Sequence, residues 1–389
     1  QWSLPVSQLK VRLSYGRLGN QNGAGLYDYL NFMTLRPDYS NAWLLSGVTS
    51  ATPVRGTVAL TPSMVSPYIT WEKVDNANLG FDLTLLNNRL TITADIYQRT
   101  TKDMIGPAEA IPDIGGIAVD QRAKVNNATL RNRGWELSVN WSDQLKNGFS
   151  YGIGFNIFDY KAVVTKYNNP EGLIYNNHTG LVRNKGYYQG MDLGEIWGYV
   201  TEGLFKDQAD IDSHADQTLI QSSSKRITYP GDVKIKDLNG DHVIDYGNNT
   251  VDDHGDKTVI GNALPRYAYS INLSGDWNNF FLSAFFQGVG KQDWYPSSEC
   301  IFWGQYNRPY NNMPTWHQGN YWTEDNTDAY LPRYAGYNAS LKSTPQTRYL
   351  QNVAYIRLKN LQFGYTLPQP IISKAKLQNV RVYISAENL

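Results

Sequence analysis

Apolar and polar residues alternate with a period of two along most regular stretches of this chain. In 77–86, "ANLGFDLTLL", Ala77, Leu79, Phe81, Leu83 and Leu85 share one face, and Asn78, Gly80, Asp82 and Thr84 share the other. Successive strand side chains point to opposite faces, so the pattern predicts a strand with one apolar side. After Asn87-Asn88, residues 89–100 set Leu90, Ile92, Ala94 and Ile96 against Thr91, Thr93, Asp95 and Tyr97. Together these predict a long hairpin on a two-residue turn. Residues 133–141 place Trp135, Leu137, Val139 and Trp141 against Glu136, Ser138 and Asn140, and 149–157 answer them across the turn 142–148. Residues 267–288 predict a third hairpin turning at Asn278-Asn279, while 9–16 and 379–388 read as single strands. In 352–366 the apolar face is interrupted by Arg357 and Lys359, which predicts a bulge or a change of register.

The connections follow their own pattern. Short links fall at 87–88, 142–148, 278–279 and 367–378, and long ones at 17–70, 102–130, 161–265 and 290–351. Short and long alternate along the chain. A transmembrane barrel has short turns at one end and long loops at the other, on strands with one apolar and one polar face. A large soluble β-sandwich or propeller is the alternative reading of the same strands. Rings cluster at the ends of the apolar faces, at Trp135 and Trp141, Phe149 and Tyr151, and Tyr267 and Tyr269. Aromatic girdles at membrane interfaces predict this, and so do ordinary core aromatics.

Composition sharpens the picture. Aromatics make up 13% of the chain, with 28 Tyr and 11 Trp. Mean hydropathy is nevertheless −0.48. That combination suits strands, turns and wet surfaces better than a helical domain. The formal net charge is zero and no basic run appears, so nothing suggests a nucleic-acid partner. Cys300 is the single cysteine, which excludes an intrachain disulfide or a thiolate metal cluster. No run of eighteen apolar residues is present to form a transmembrane helix.

Seven segments then occur in a characteristic order: 9–23, 71–105 ("WEKVDNANLGFDLTLLNNRLTITADIYQRTTKDMI"), 126–141, 196–211 ("IWGYVTEGLFKDQADI"), 230–245 ("PGDVKIKDLNGDHVID"), 256–277 and 353–368. Together they resemble the C-terminal part of the SusC/RagA-like TonB-dependent outer-membrane transporters of Bacteroidetes. The resemblance implies an all-β fold. Residues 1–389 would form the C-terminal portion of one large antiparallel transmembrane barrel, 22-stranded in the family, with long extracellular loops. It places the plug and the N-terminal strands outside this sequence, and the nine strands above at positions thirteen to twenty-one. It also implies a Gram-negative outer-membrane location and import of glycan or peptide oligomers. The implied partners are outer-membrane lipid, a SusD-like surface lipoprotein, the TonB complex acting through the plug, and a second transporter–lipoprotein pair in a dimer.

Two stretches could carry chemistry. "KDLNGDHVID" (236–245) spaces Asp237, Asn239 and Asp241 as positions 1, 3 and 5 of a calcium loop, with the Val243 carbonyl at position 7 and Asp245 beyond. Two departures stand out. His242 replaces the usual glycine at position six, and the insertion 246–255 displaces the closing acid to Asp252, Asp253 or Asp256. The expectation is a calcium ion that shapes a loop, set against an Asx-turn-rich surface loop. The second stretch is 291–325, crowded with Trp294, Tyr295, Trp303, Tyr306, Trp316, Tyr321 and Trp322. Such rings suit sugar stacking or peptide contact, and equally a loop that packs on itself or on a partner protein.

An enzyme is disfavoured. The five histidines fall in predicted loops, without a His-x-x-x-His pair or a Gly-x-Ser-x-Gly elbow. The expected function is therefore TonB-dependent nutrient import. The alternatives are a soluble calcium-dependent carbohydrate-binding protein and a siderophore-type receptor.

Overall fold

The computed structural model describes residues 6–21, 25, 30–37, 56–60, 62, 64–106, 123–169, 172, 174, 186–221, 227–296, 301–303, 313–334 and 344–389. Nine strands form one antiparallel sheet, each beside its neighbour in the chain. We label them β1 (Val6–Asn20), β2 (Glu72–Leu85), β3 (Leu90–Gly106), β4 (Val125–Gln144), β5 (Ser150–Lys166), β6 (Arg266–Trp277), β7 (Phe280–Lys291), β8 (Tyr355–Thr366) and β9 (Arg381–Glu387). Among the described residues β1 and β9 are its two edges.

The register shows why the sheet has two chemically distinct faces. Leu83 lies opposite Ile92, Ile92 opposite Val139, Val139 opposite Phe155, Phe155 opposite Ile271, and Ile271 opposite Phe286. One residue along, Asp82, Thr93, Ser138, Asn156, Ser270 and Gln287 form the parallel row on the other face. Leu137 joins the apolar side in the row of Phe81 and Ala94, while Glu136 lies opposite Asp95 on the polar side. On that polar face Arg12 bridges Asp82 at 2.9 Å and Asp95 at 2.8 Å.

The apolar face runs from Leu85 up to Ala77 on β2. Eight steps of about 3.4 Å give roughly 27 Å along the strand. That matches an apolar band about 25 Å tall. Its rims carry rings. At the short-turn end Trp141 donates to the Tyr151 hydroxyl at 3.2 Å, and Phe149 stacks on Tyr151. At the other end Trp135 and Tyr267 are exposed. Tyr269 sits one row further in than expected, where its ring lies over Gly288, with no room there for a Cβ.

The predicted break in 352–366 is present. Phe285 pairs with Asn360 but Phe286 pairs with Leu358, so Lys359 is the extra residue of a bulge. Both sides of the bulge keep their leucines on the apolar face. The Asn278-Asn279 turn has both residues in the left-handed region, as a two-residue hairpin requires. The turn before β3 differs from expectation. It spans four residues, with Leu86, Asn87 and Asn88 all at positive φ.

The strands also run longer than the alternation indicated. β4 extends to Val125 and β5 to Lys166. Above the apolar band both faces are wet, so alternation ends there while ladder hydrogen bonding continues.

Candidate functional site

At the long-loop end the two longest connections fold into one unit. Strand Glu195–Tyr199 pairs with Lys257–Asn262, and strand Thr201–Leu204 pairs with Val233–Ile235. Residues from the later connection complete the ladder. The Tyr199 amide donates to the Pro345 carbonyl at 3.0 Å, and the Thr347 amide donates to the Tyr199 carbonyl at 3.0 Å. Between them lies a core of Tyr199, Leu204, Val233, Ile235, Ile244, Trp303, Leu331 and Tyr349. Val233, Ile235, Ile244 and Tyr349 have no exposed surface. The short helix Gln208–Asp212 is capped by Asp207, whose carboxylate accepts the Asp210 amide at 2.8 Å.

A buried ion pair ties the two connections together. Asp232, 1% exposed, accepts from Arg333 Nε at 2.5 Å and from the Tyr229 amide at 2.9 Å. The Arg333 guanidinium lies 4.6 Å from the Tyr229 ring centroid. Beside it Gly231, at φ +83°, lets the Trp322 indole close to within 2.5 Å of where a Cβ would stand. That contact is a sequence signal of the loop–loop interface, but it is readable only once the two segments are known to meet.

These contacts decide the role of most of the aromatic stretch. Trp303 is 3% exposed, and its ring meets Tyr349 edge to face at 5.0 Å. Tyr295, Tyr321 and Trp322 pack on the same core, and the Tyr295 hydroxyl donates to the Thr344 carbonyl at 2.7 Å. These four rings hold the unit together and do not form an open stacking platform. Trp294 and Trp316 remain exposed, the latter against Phe302. Tyr306 lies outside the described residues.

The calcium-like stretch is wound by its own side chains. Asp237 accepts the Gly240 amide at 2.6 Å and the His242 amide at 2.9 Å. Asn239 accepts the Asp241 amide, and Asp241 accepts the Val243 amide at 2.8 Å. Burial raises the Asp237 carboxyl, but the Gly240 and His242 amides outweigh it and hold the group below the usual carboxylate range. His242 adopts the left-handed backbone expected at position six, with φ +65°. The Val243 backbone bridges in parallel to Asp216.

The closing ligand is another matter. Asp256 has no exposed surface, and its two oxygens accept the Leu238 amide at 2.7 Å and the Asp245 amide at 2.9 Å. Asp245 in turn accepts the Gly247 amide. Asp256 is therefore a strap across the loop, held through both of its oxygens. Among the described residues no three His, Cys, Asp or Glu side chains converge to hold a metal ion.

Next to this strap lies Lys257, 5% exposed. It donates to Asn249 Oδ1 at 3.0 Å and lies 5.3 Å from the Tyr246 ring centroid. Burial pushes its ammonium down to about 8 from 10.5. A lowered lysine value means that the folded unit carries its full penalty below pH 8. The penalty fades as pH rises from 8 toward 10.5, where only the unfolded chain still holds the proton. Resistance of the unit to limited proteolysis should therefore rise across that interval relative to a Lys257→Met variant. Parallel pH profiles for the two proteins would contradict this.

Three of the four described histidines serve packing, and His242 lies exposed in its turn. His214 and His317 contact the Ile235 and Phe302 carbonyls, each at 2.7 Å, and His254 lies against Trp197.

The TonB dependent receptor-like, beta-barrel family matches residues 1–389, and the chain belongs to that family. It is 28% identical over 388 residues to TonB-dependent receptor P3 of Formosa agariphila, covering 99% of this chain and 35% of that protein. To TonB-dependent receptor SusC of Bacteroides thetaiotaomicron it is 29% identical over 161 residues, covering 41% of this chain and 15% of SusC. The fold matches the RagAB peptide transporter structure with a TM-score of 0.70 at 22% identity, over 100% of this chain and 37% of that one. The chain thus spans about a third of the length of its matched full-length relatives, and its fold is that of the SusC/RagA-type barrel.

Proposed function

We propose that this chain supplies part of the membrane wall and the outer loop unit of a TonB-dependent importer in a Gram-negative outer membrane. One observation carries the reading: a sheet with one apolar and one polar face, short turns at one end and a co-folded loop unit at the other. The apolar face meets lipid and the polar face lines the lumen. The loop unit sits outside the cell, at the mouth. Cargo is an oligomeric glycan or peptide, and a SusD-like lipoprotein docks on the loop unit, where Trp294 and Trp316 remain exposed. The likeness to the RagAB peptide transporter favours the peptide class. TonB acts through a plug domain, and two transporter–lipoprotein pairs associate.

Labelling tests the orientation. Cysteine introduced at Asn239 should react with a membrane-impermeant reagent on intact cells, and cysteine at Asn88, in the short turn before β3, should not. Reaction at Asn88 alone would invert the map. Uptake and lipoprotein co-purification should both fail when the loop unit is disrupted while the wall still assembles.

Calcium belongs to this proposal as a shaping ion in the loop 237–245. The Asx turns set the backbone, and each bonded oxygen of Asp237, Asn239 and Asp241 keeps a free lone pair for a cation. Asp256 stays in its strap. Under this reading, chelation increases cleavage near 230–260 without disturbing the barrel. Identical cleavage with calcium and with chelator would leave the Asx-turn network as the whole account.

A further inference from the structure

From the top row of the apolar band upward, on the same outward face, the sheet turns basic. Arg17, Lys73, Lys102, Arg131, Arg133 and Lys161 all fall on the face of Leu79, Ile96 and Trp135, within three successive rows of β1–β5. Two of the cross-strand pairs oppose like charges. Lys73 lies opposite Lys102, and Arg133 lies opposite Lys161. Like charges directly opposite weaken a sheet. Here the arrangement occurs twice in one narrow zone.

Carboxylates answer only part of this charge. Asp75 pairs with Arg17 at 2.5 Å and Lys102 at 3.1 Å, Asp103 with Lys73 at 2.8 Å, and Asp192 with Lys161 at 3.3 Å. Among the described residues Arg131 and Arg133 have no carboxylate. Arg133 donates to the neutral Gln98 at 2.6 Å, and Arg131 is half-buried. The two guanidiniums are two residues apart on one face, about 6.8 Å along the strand. Arginine in such an array favours phosphate, which it can bind bidentately.

We infer that this band binds the phosphate groups of a phosphorylated glycolipid in the outer leaflet, centred on Arg131 and Arg133. The inference rests on the outer-membrane reading above, because the band sits at headgroup level only if the apolar face meets lipid. Its position also follows from the rings below it. Trp135 occupies the next outward-facing position on β4 and marks the interface, and charged groups just beyond such a ring meet headgroups.

The test uses the whole protein in detergent with three probes: vesicles containing lipid A, vesicles containing fully dephosphorylated lipid A, and inorganic phosphate. The inference predicts that the wild type binds phosphorylated vesicles at least tenfold better than dephosphorylated ones, and that added salt weakens this binding. Arg131→Gln with Arg133→Gln should remove most of that preference. Arg99→Gln, on the polar face of β3, should leave it intact. Equal binding of both vesicles, or an unchanged preference in the double variant, would overturn the inference. Displacement by low-millimolar inorganic phosphate would also overturn it, by assigning the band to a free anion. Membrane fractionation and gel mobility with and without heating report separately whether each variant is an assembled outer-membrane barrel. Failure there would count against the proposed function, while the vesicle preference would still be measured.

Discussion

Asp232→Ala should open the outer loop unit without loss of the barrel. The carboxylate is 1% exposed and holds Arg333 at 2.5 Å, in a pair that joins residues 101 positions apart. Arg333 keeps 27% of its side chain exposed, so the guanidinium left behind is partly hydrated, and the loss should fall at or below the low end of the about 3–5 kcal/mol typical of a fully buried pair. Here the Tyr229 amide also loses its acceptor. The Asp232 carbonyl still receives the Phe205 amide at 3.0 Å, so the backbone bracket is weakened but not erased. Expected results are rapid proteolysis between 196 and 350 and loss of lipoprotein co-purification, with unchanged heat-dependent mobility of the barrel. Arg333→Met should do similar damage by taking the guanidinium away from the Asp232 carboxylate. Combining Asp232→Asn with Arg333→Met should recover part of the loss, since no buried charge then remains. Normal protease resistance in Asp232→Ala would show that this pair is not what holds the two connections together.

The second large effect is on the wall. Leu137 lies in the middle row of the apolar band, with Phe81 and Ala94. Leu137→Arg should cost about 2–4 kcal/mol at the bilayer midplane, measured by reversible unfolding in lipid vesicles. Leu83, Ile92 and Ile271 lie one row nearer the short turns, and arginine there should cost somewhat less. Thr93→Arg and Asn272→Arg place the same charge on the polar face and should change stability little. Equal costs on the two faces would contradict the assignment of lipid and lumen.

Much of the wall was legible in the sequence because its information is local. Period two identifies the faces, turn residues set the hairpins, and two charges in an apolar row marked the bulge at Lys359. The strand lengths were not legible, because alternation vanishes where both faces are wet. The loop unit was hidden for a different reason. Its strands Glu195–Tyr199 and Lys257–Asn262 are short, and Tyr199 completes its bonding with Pro345 and Thr347, nearly 150 residues away. No local pattern encodes that meeting. The aromatic stretch was accordingly open between platform and self-packing; Trp303 is buried against Tyr349, while Trp294 and Trp316 stay exposed. The calcium-like spacing predicted the left-handed His242 correctly. It could not show that Asp256 spends both oxygens on backbone amides.

Spin labels placed singly along β3 in the whole protein, reconstituted in lipid, would report directly which face of the sheet meets the bilayer. Collision rates with oxygen, which concentrates in the bilayer, and with a water-soluble nickel complex would be read at 90–97. A period of two is expected. Oxygen access should peak at 90, 92, 94 and 96, and nickel access at 91, 93, 95 and 97. Nickel access at both sets, as in a soluble sandwich or propeller with its surface in water, would contradict it.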